Sequence, residues 1–550
     1  MNKIVSTVIS QWRHFTNREK ILSILFLSLI LWGIISGVNL LLNKISTRVP
    51  QEGGTLRLGL ICQPIYINPI LAQDNNCDRD LEELIFDGLF SIDGKGNFIP
   101  RLADKVEISN DNKTYTISLK RNVFWHDGIP FKAEDVIFTI DTILNPQTDS
   151  PWRLNWQGVV TEEIDDYTVR FNLKQPYSFF VQNLTLKIIP KHIWENVDFK
   201  NIRSNPRNYL QPIGTGPYLF EKLNVGKLET SAAGKIKSYS LLANRKYFIT
   251  PPKIDRIIFN FYDNYQEAKK GLLANEVDGI SPLDIADINF FKQKKNYQIK
   301  SIVLPRYYAV FWNLKKPIFS PKVKQALALA INKKALIHNV LQDQAIPIDS
   351  PFSLLPSVNN PYSPQQAIQL LASEGYTQDK PLSFELSLPD NPELIAVAKF
   401  LQTSWQNINV QVKLQILPTS DLKKEIIDKR SYDALLFGEI LGQKADLFSF
   451  WHSSQIEYPG HNLSQYKNPK LDQLIEERKQ ITMDAKAEAE YQAKIKDILN
   501  TDQPALFLYN PFYLYLLPQK VKGNEIKIAN FPAERFNDIQ NWYIFSKRKF

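Results

Sequence analysis

The stretch RNVFWHDGIPFKAEDVIFTI, residues 121–140, sets Trp125, His126, Asp127 and Gly128 side by side. Histidine and aspartate are the residue types of proton transfer, so the first question is whether they form an acid–base pair. Adjacent residues need not converge on one substrate atom, and no other catalytic pattern accompanies them. The chain lacks a G-x-S-x-G elbow, a P-loop, an H-E-x-x-H pair and a G-x-G-x-x-G turn. Gly214-Thr215-Gly216-Pro217 looks like a glycine loop, but Pro217 removes a backbone donor that a phosphate cradle needs. It reads as a bend at a lobe boundary. The histidines are His14, His126, His192, His338, His452 and His461, and none forms a tight i, i+4 pair or a Cys/His cluster. No enzyme activity, metal site or cofactor is expected.

The elements around Trp125 explain the cluster differently. RLADKVEISNDNKTYTISLK reads as a hairpin, with Val106 and Ile108 alternating on one arm and Tyr115, Ile117 and Leu119 on the other. His126-Asp127-Gly128 is turn chemistry, with Gly128 free to take a positive φ. From Ala133 on, Val136, Ile137, Ile140, Ile143 and Leu144 recur at helical spacing, with Glu134 and Asp135 in the first turn. The stretch is therefore strand, turn, helix. Alternation over 54–60 and 165–173 predicts further strands. Residues 254–280 read as strand, helix and strand edge, 320–341 and 468–499 as helical, and 505–518 as strand. Ser320 caps the second helical stretch and Pro321 opens it. Uneven alternation of strands and helices over 550 residues indicates an α/β protein of several lobes.

The net charge of +9 does not mark a nucleic-acid binder. Six basic side chains (Lys3, Arg13, Arg18, Lys20, Lys44, Arg48) and one acid (Glu19) fall in residues 1–50, leaving 60 basic and 56 acidic side chains beyond. No basic run is interleaved with aromatics. Residues 21–42, ILSILFLSLILWGIISGVNLLL, carry no charge. A helix of this length spans about 33 Å, enough for a hydrocarbon core. The run is long and no A-x-A pattern follows, so it reads as an uncleaved span, with a long signal peptide as the alternative. Four basic residues precede it and two follow, which places residues 1–20 in the cytoplasm and the rest outside, after a tether over 43–52. The two cysteines, Cys62 and Cys77, then lie in an oxidising compartment. A disulfide across this loop is favoured over two buried thiols.

GGTLRLGL, INPILAQDNNCDRDLEELIFDGLFSID, RNVFWHDGIPFKAEDVIFTID, PIGTGPYLFEKL, VKQALALAINKKALI, DLFSFWHSSQ and NLSQYKNPKLDQLIEERK follow one another in this order. Together they resemble the family 5 extracellular solute-binding proteins, the peptide, dipeptide and nickel group that serves ABC importers. The resemblance covers about Gly53 to Tyr543. It implies a two-lobed clamshell of the periplasmic-binding-protein kind (type II, cluster C-like). Lobe I would comprise residues 51–267 with 504–550, lobe II residues 268–503, and the crossings would lie near Asn264 and Asp502. A peptide would sit between the lobes, and closure would present a surface to permease subunits.

The resemblance also places two segments at the cleft. RYYAVFWNL offers Tyr307, Tyr308, Trp312 and Asn313; GEILGQKADLFSFWHSSQ offers Glu439, Asp446, Trp451 and His452. Peptide-binding relatives often carry a Trp and an Asp where this chain has Glu439-Ile440-Leu441-Gly442, and Asp-Pro-Asp where it has Lys444-Ala445-Asp446. Either Glu439 or Asp446 takes the role of anchoring a ligand's amino group, or the ligand is a different solute such as a metal complex or sugar. A membrane-tethered sensor built on the same clamshell is the other functional alternative; twenty residues are too few for a folded signalling domain, so it would need a partner.

Overall fold

A computed structural model describes residues 16–45, 47–72, 75–226, 235–352, 354, 361–442, 446–481 and 485–549. Most of the cytoplasmic arm expected over 1–20, and Lys444-Ala445, lie outside the described residues. The chain divides into two units, Met1–Gly53 with Tyr543–Phe550, and Gly54–Trp542. In the first, helix α1 (Asn17–Ile45) is followed by strand β1 (Thr47–Gln51), which pairs antiparallel with Phe545–Lys549. Over Asn17–Gly37 the helix is long and apolar enough to cross a membrane. Its Ile, Leu and Phe side chains from Ile21 to Ile35 are largely exposed.

The second unit opens with β2 (Thr55–Leu60) and α2 (Asn76–Ile85). A four-stranded antiparallel sheet follows, from β3 (Ala103–Ile108), β4 (Thr114–Leu119), β5 (Val159–Asp165) and β6 (Thr168–Leu173), in the order β3-β4-β6-β5. The expected hairpin is β3–β4, with Ile108 opposite Tyr115. Helix α3 (Ala133–Leu144) packs on this sheet around Trp125, Trp156, Phe171 and Phe180.

The Trp125-His126-Asp127 cluster is a turn. The Trp125 indole donates to Asp135 in the first turn of α3 (3.2 Å), and Gly128 has φ 91°. His126 Nδ1 accepts from the Gly214 amide (3.3 Å) and Nε2 donates to the Gly216 carbonyl (3.0 Å). Burial pushes the ring down to about 4, so it stays neutral and ties two chain segments together. Glycine is required at 214 because a Cβ there would lie 1.8 Å from the Ile85 carbonyl oxygen.

The larger sheet has twelve strands. After β7 (Tyr218–Gly226), β8 (Lys235–Ala243) and β9 (Arg256–Phe261) come α4 (Tyr265–Leu273), β10 (Gly279–Ser281), β11 (Tyr297–Val303) and β12 (Arg306–Trp312). Then follow α5 (Pro321–Leu329), α6 (Lys333–Asn339), β13 (Ala345–Pro347), β14 (Leu382–Pro389), α7 (Pro392–Gln406), β15 (Val410–Leu417) and β16 (Ala434–Ile440). The series ends with α8 (Pro469–Gln480), α9 (Ala485–Asp502) and β17 (Ala505–Pro518). The strand order is β15-β14-β16-β12-β17-β10-β2-β9-β8-β7, with β11 and β13 also on β17.

Strand β17 is common to both halves of this sheet. Its first residues pair with β12, Tyr308 opposite Tyr509, and its last with β11, Val303 opposite Phe512. The two long segments change partners together, at Leu304-Pro305 and near Asn510-Pro511. Residues 268–303, placed by the resemblance in lobe II, include β10, which pairs with β2, and β11, which pairs with the second half of β17. The helical stretch 320–341 is two helices separated at Asn332, whose side chain caps the second by accepting from the Ala335 amide. The stretch 468–499 is likewise divided between α8 and α9.

Candidate ligand site between the two halves of the sheet

In open α/β sheets ligands collect at the carboxyl ends of parallel strands, where loops diverge and backbone groups are left unpaired. Among the described residues there are two such sets. β9 and β10 flank β2 in parallel, and β15 and β16 flank β14 in parallel. β16 ends at Ile440, directly opposite Arg306, the first residue of β12. The residues leaving β16 meet a segment of the four-stranded region. The Tyr177 hydroxyl donates to Asp446 (3.3 Å). The Ser178 amide donates to the Lys479 carbonyl (2.8 Å), its hydroxyl donates to the Arg478 carbonyl (2.8 Å), and Arg478 Nη1 donates back to that hydroxyl (2.7 Å). The Arg478 guanidinium also lies 4.6 Å over the Phe179 ring. At Gly442 (φ 72°) a Cβ would come within 3.2 Å of Gln182 Oε1.

Behind this contact is a buried polar layer. Tyr307 faces Glu439 across the β12–β16 ladder and donates its hydroxyl to that carboxyl group. The Trp451 indole donates to the same hydroxyl (3.2 Å). The second carboxyl oxygen of Glu439 has no hydrogen-bond partner among the described residues. Burial drives Glu439 well above the usual carboxylate range, with the Tyr307 hydrogen bond opposing it.

The eight residues expected at the cleft separate into five places. Tyr307, Glu439 and Trp451 form the buried layer. Asp446 stands at the contact, accepting from Tyr177 and from the Phe448 amide (3.0 Å). His452 stacks on Phe448 (4.5 Å), whose ring also lies 3.4 Å from Lys479 Nζ, and its Nε2 is 3.3 Å from Glu476. Tyr308 and Trp312 point to the opposite face of β12, because side chains alternate along a strand. Tyr308 packs at a tilt on Tyr509 (5.3 Å), and Trp312 packs among Phe319, Phe384 and Trp405. Asn313 is buried at the far end of β12, donating to the Tyr432 carbonyl (2.8 Å) and accepting from Gln465 (2.7 Å).

Sequence reasoning missed Tyr177, Ser178, Gln182 and Arg306. Arg306 sits where the two strand sets adjoin. Its Nε has no hydrogen-bond partner among the described residues, and its charge acts on Glu393, Tyr308 and Tyr509. Its place directly before an aromatic strand was the one available signal. Cys62 and Cys77 are joined by a disulfide, Cα atoms 6.0 Å apart. Asp78, next to it, accepts from the Ile65 and Tyr66 amides (2.7 and 3.0 Å), and burial raises it to about 6. Among the described residues there is no cluster of three or more His, Cys, Asp or Glu able to hold a metal ion.

Known proteins share this architecture. Over 526 residues the chain is 27% identical to the oligopeptide-binding protein AppA of Bacillus subtilis (strain 168), covering 91% of this chain and 93% of AppA. The structure of that protein with a nonapeptide superposes with a TM-score of 0.68, covering 90% of this chain and 99% of AppA at 27% identity. NikZ from Campylobacter jejuni in complex with Ni(L-His) superposes at 0.70, with 25% identity, 89% of this chain and 99% of NikZ covered. Residues 97–456 match the family described as bacterial extracellular solute-binding proteins, family 5, middle region. The chain belongs to the bacterial extracellular solute-binding proteins of family 5.

Proposed function

We propose that this protein is the peptide-binding component of an ABC importer, held outside the cytoplasmic membrane by α1 and delivering its ligand to permease subunits. The observation that carries the reading is the reach of Tyr177 and Ser178, from the four-stranded region, across to Asp446, Arg478 and Lys479, beside the middle of β17, toward which both parallel strand sets direct their carboxyl ends. The jaws divide at Leu304-Pro305 and Asn510-Pro511, so α4, β10 and β11 move with the first jaw. The likeness to AppA supports a peptide as ligand. Asp446 anchors the ligand's amino group: Glu439 is only 4% exposed and already engages Tyr307, whereas Asp446 stands between the jaws. Arg306, with donors to spare, takes a ligand carboxylate.

Calorimetric titration of the full chain in lipid nanodiscs with di-, tri- and nonapeptides tests this reading. Saturable binding of at least one length class supports it. Binding of nickel–histidine with no response to any peptide would favour a metal-chelate solute, the second reading, which rests on the likeness to NikZ.

A further inference from the structure

A cavity of about 340 Å³ lies inside the second half of the sheet, away from the jaw contact. Its apolar floor draws Leu499 and Phe507 from one face of the sheet and Trp312, Leu329 and Leu506 from the other. Its wall is basic: Lys324 extends from α5, Lys333 from the start of α6 and Lys496 from α9.

The charges do not balance. Lys324 is 7% exposed and Lys333 4% exposed. The Lys324 ammonium donates to the Asp502 backbone carbonyl, and the Lys333 ammonium to the Ile348 carbonyl (2.6 Å). Asp349 is the one carboxylate among the described lining residues, and it pairs with Lys496 (3.0 Å). The Asp502 carboxylate also acts on Lys324, but it is engaged by Tyr466 and by Asn468 (2.9 Å). Buried ammonium groups hold their charge only when an anion compensates them. An ammonium has three donors, so each of these lysines retains capacity for a further acceptor. We propose that this cavity binds a small organic anion, a carboxylate carrying an apolar body, with the carboxylate held by Lys333 and Lys496 and the body on Leu499 and Phe507. The apolar floor argues against a bare phosphate, which would leave that surface without a partner.

Burial, helped by the neighbouring charge of Lys496 and opposed by Asp349, pushes the Lys333 ammonium down to about 8. Such a group is half discharged in mild base, so anion affinity should fall as the pH rises past 8.

The test is titration of the full chain in lipid nanodiscs with benzoate, against the uncharged benzamide, inorganic phosphate and empty nanodiscs. One benzoate should bind per chain, with benzamide and phosphate at least tenfold weaker and with affinity declining above pH 8. Lys333→Met and Lys496→Ala should each lower benzoate affinity at least tenfold. Ala328→Trp, which fills a lining position without changing charge, should abolish binding. If Lys333→Met does not fold, Lys496→Ala and Ala328→Trp carry the test. Absence of saturable benzoate binding, phosphate binding as tight as benzoate, or benzoate affinity unchanged in the variants that fold would each overturn the proposal.

Discussion

The Asn510 side-chain amide donates to the Leu304 carbonyl over 2.9 Å, at the point where both long strands change partners. Asn510 is 0% exposed and Leu304 4%. Removing the amide leaves that carbonyl with the Arg306 backbone amide as donor (2.8 Å), so the loss is that of one hydrogen bond, about 0.5–1.5 kcal/mol. Asn510→Ala should lower the urea midpoint accordingly. A midpoint equal to that of the parent protein would show that the strand break needs no such clasp.

Ser178 is the hub of the contact between the jaws, with two side-chain hydrogen bonds to Arg478 and a backbone one to Lys479. Ser178→Ala keeps the backbone bond and loses the other two. With about 1 kcal/mol lost from the closed state, ligand dissociation should quicken about fivefold while the melting temperature of the ligand-free protein changes little. Stopped-flow displacement reads the rate; an unchanged rate would remove this contact from the closing equilibrium.

Asp446 and Glu439 give opposite expectations. Asp446→Asn should weaken peptides with a free amino terminus about 10- to 100-fold, the value of one charge-assisted hydrogen bond, and leave N-acetylated peptides unaffected. Equal losses for both kinds of peptide would assign Asp446 a structural role only.

Glu439 should instead appear in the pH dependence of stability. Its carboxyl holds its proton well above the ordinary value of 4.5 in the folded protein, while the unfolded chain releases it near that value. Between the two the folded state binds more protons, so stability falls as pH rises. Glu439→Gln keeps an acceptor for the Tyr307 hydroxyl and does not titrate. Its melting temperature should decline less than the parent's between pH 4.5 and 8; superimposable profiles would refute the assignment.

The Cys62–Cys77 bridge closes a sequence separation of 15. Loops of this size contribute about 3 kcal/mol by chain entropy. Thermal melts with and without reductant should differ, with two thiols alkylated only after reduction. Alkylation without reductant would mean that the bridge is not formed.

Local order was legible in the sequence wherever one residue's neighbours decide the outcome. Val106 to Leu119 formed the hairpin and Ala133 to Leu144 the helix that their spacing indicates. The aromatic run of β12 was legible as a strand, and its period of two implies that Tyr307 and Tyr308 face opposite ways. Sequence could not show which face meets the gap, because that depends on β16 and β17, more than a hundred residues away. Nor does β11 announce its partner: its side chains suit either half of the sheet, and only the register with Phe512–Pro518 decides. Tyr177 and Ser178 escaped because their partners are Asp446 and Arg478, and a loop carries no periodicity to point there.

The position of β17 bears on how the chain matures. Ribosomes deliver the amino end first, yet residues 505–518 are the slat onto which β10, β11, β12 and β13 all close. A nascent chain that has yet to expose them leaves four strands with a raw edge, in both jaws at once. Such edges invite mispairing, and distant pairings form slowly. Until residues 505–518 have emerged, these four edges stay open to the wrong partner.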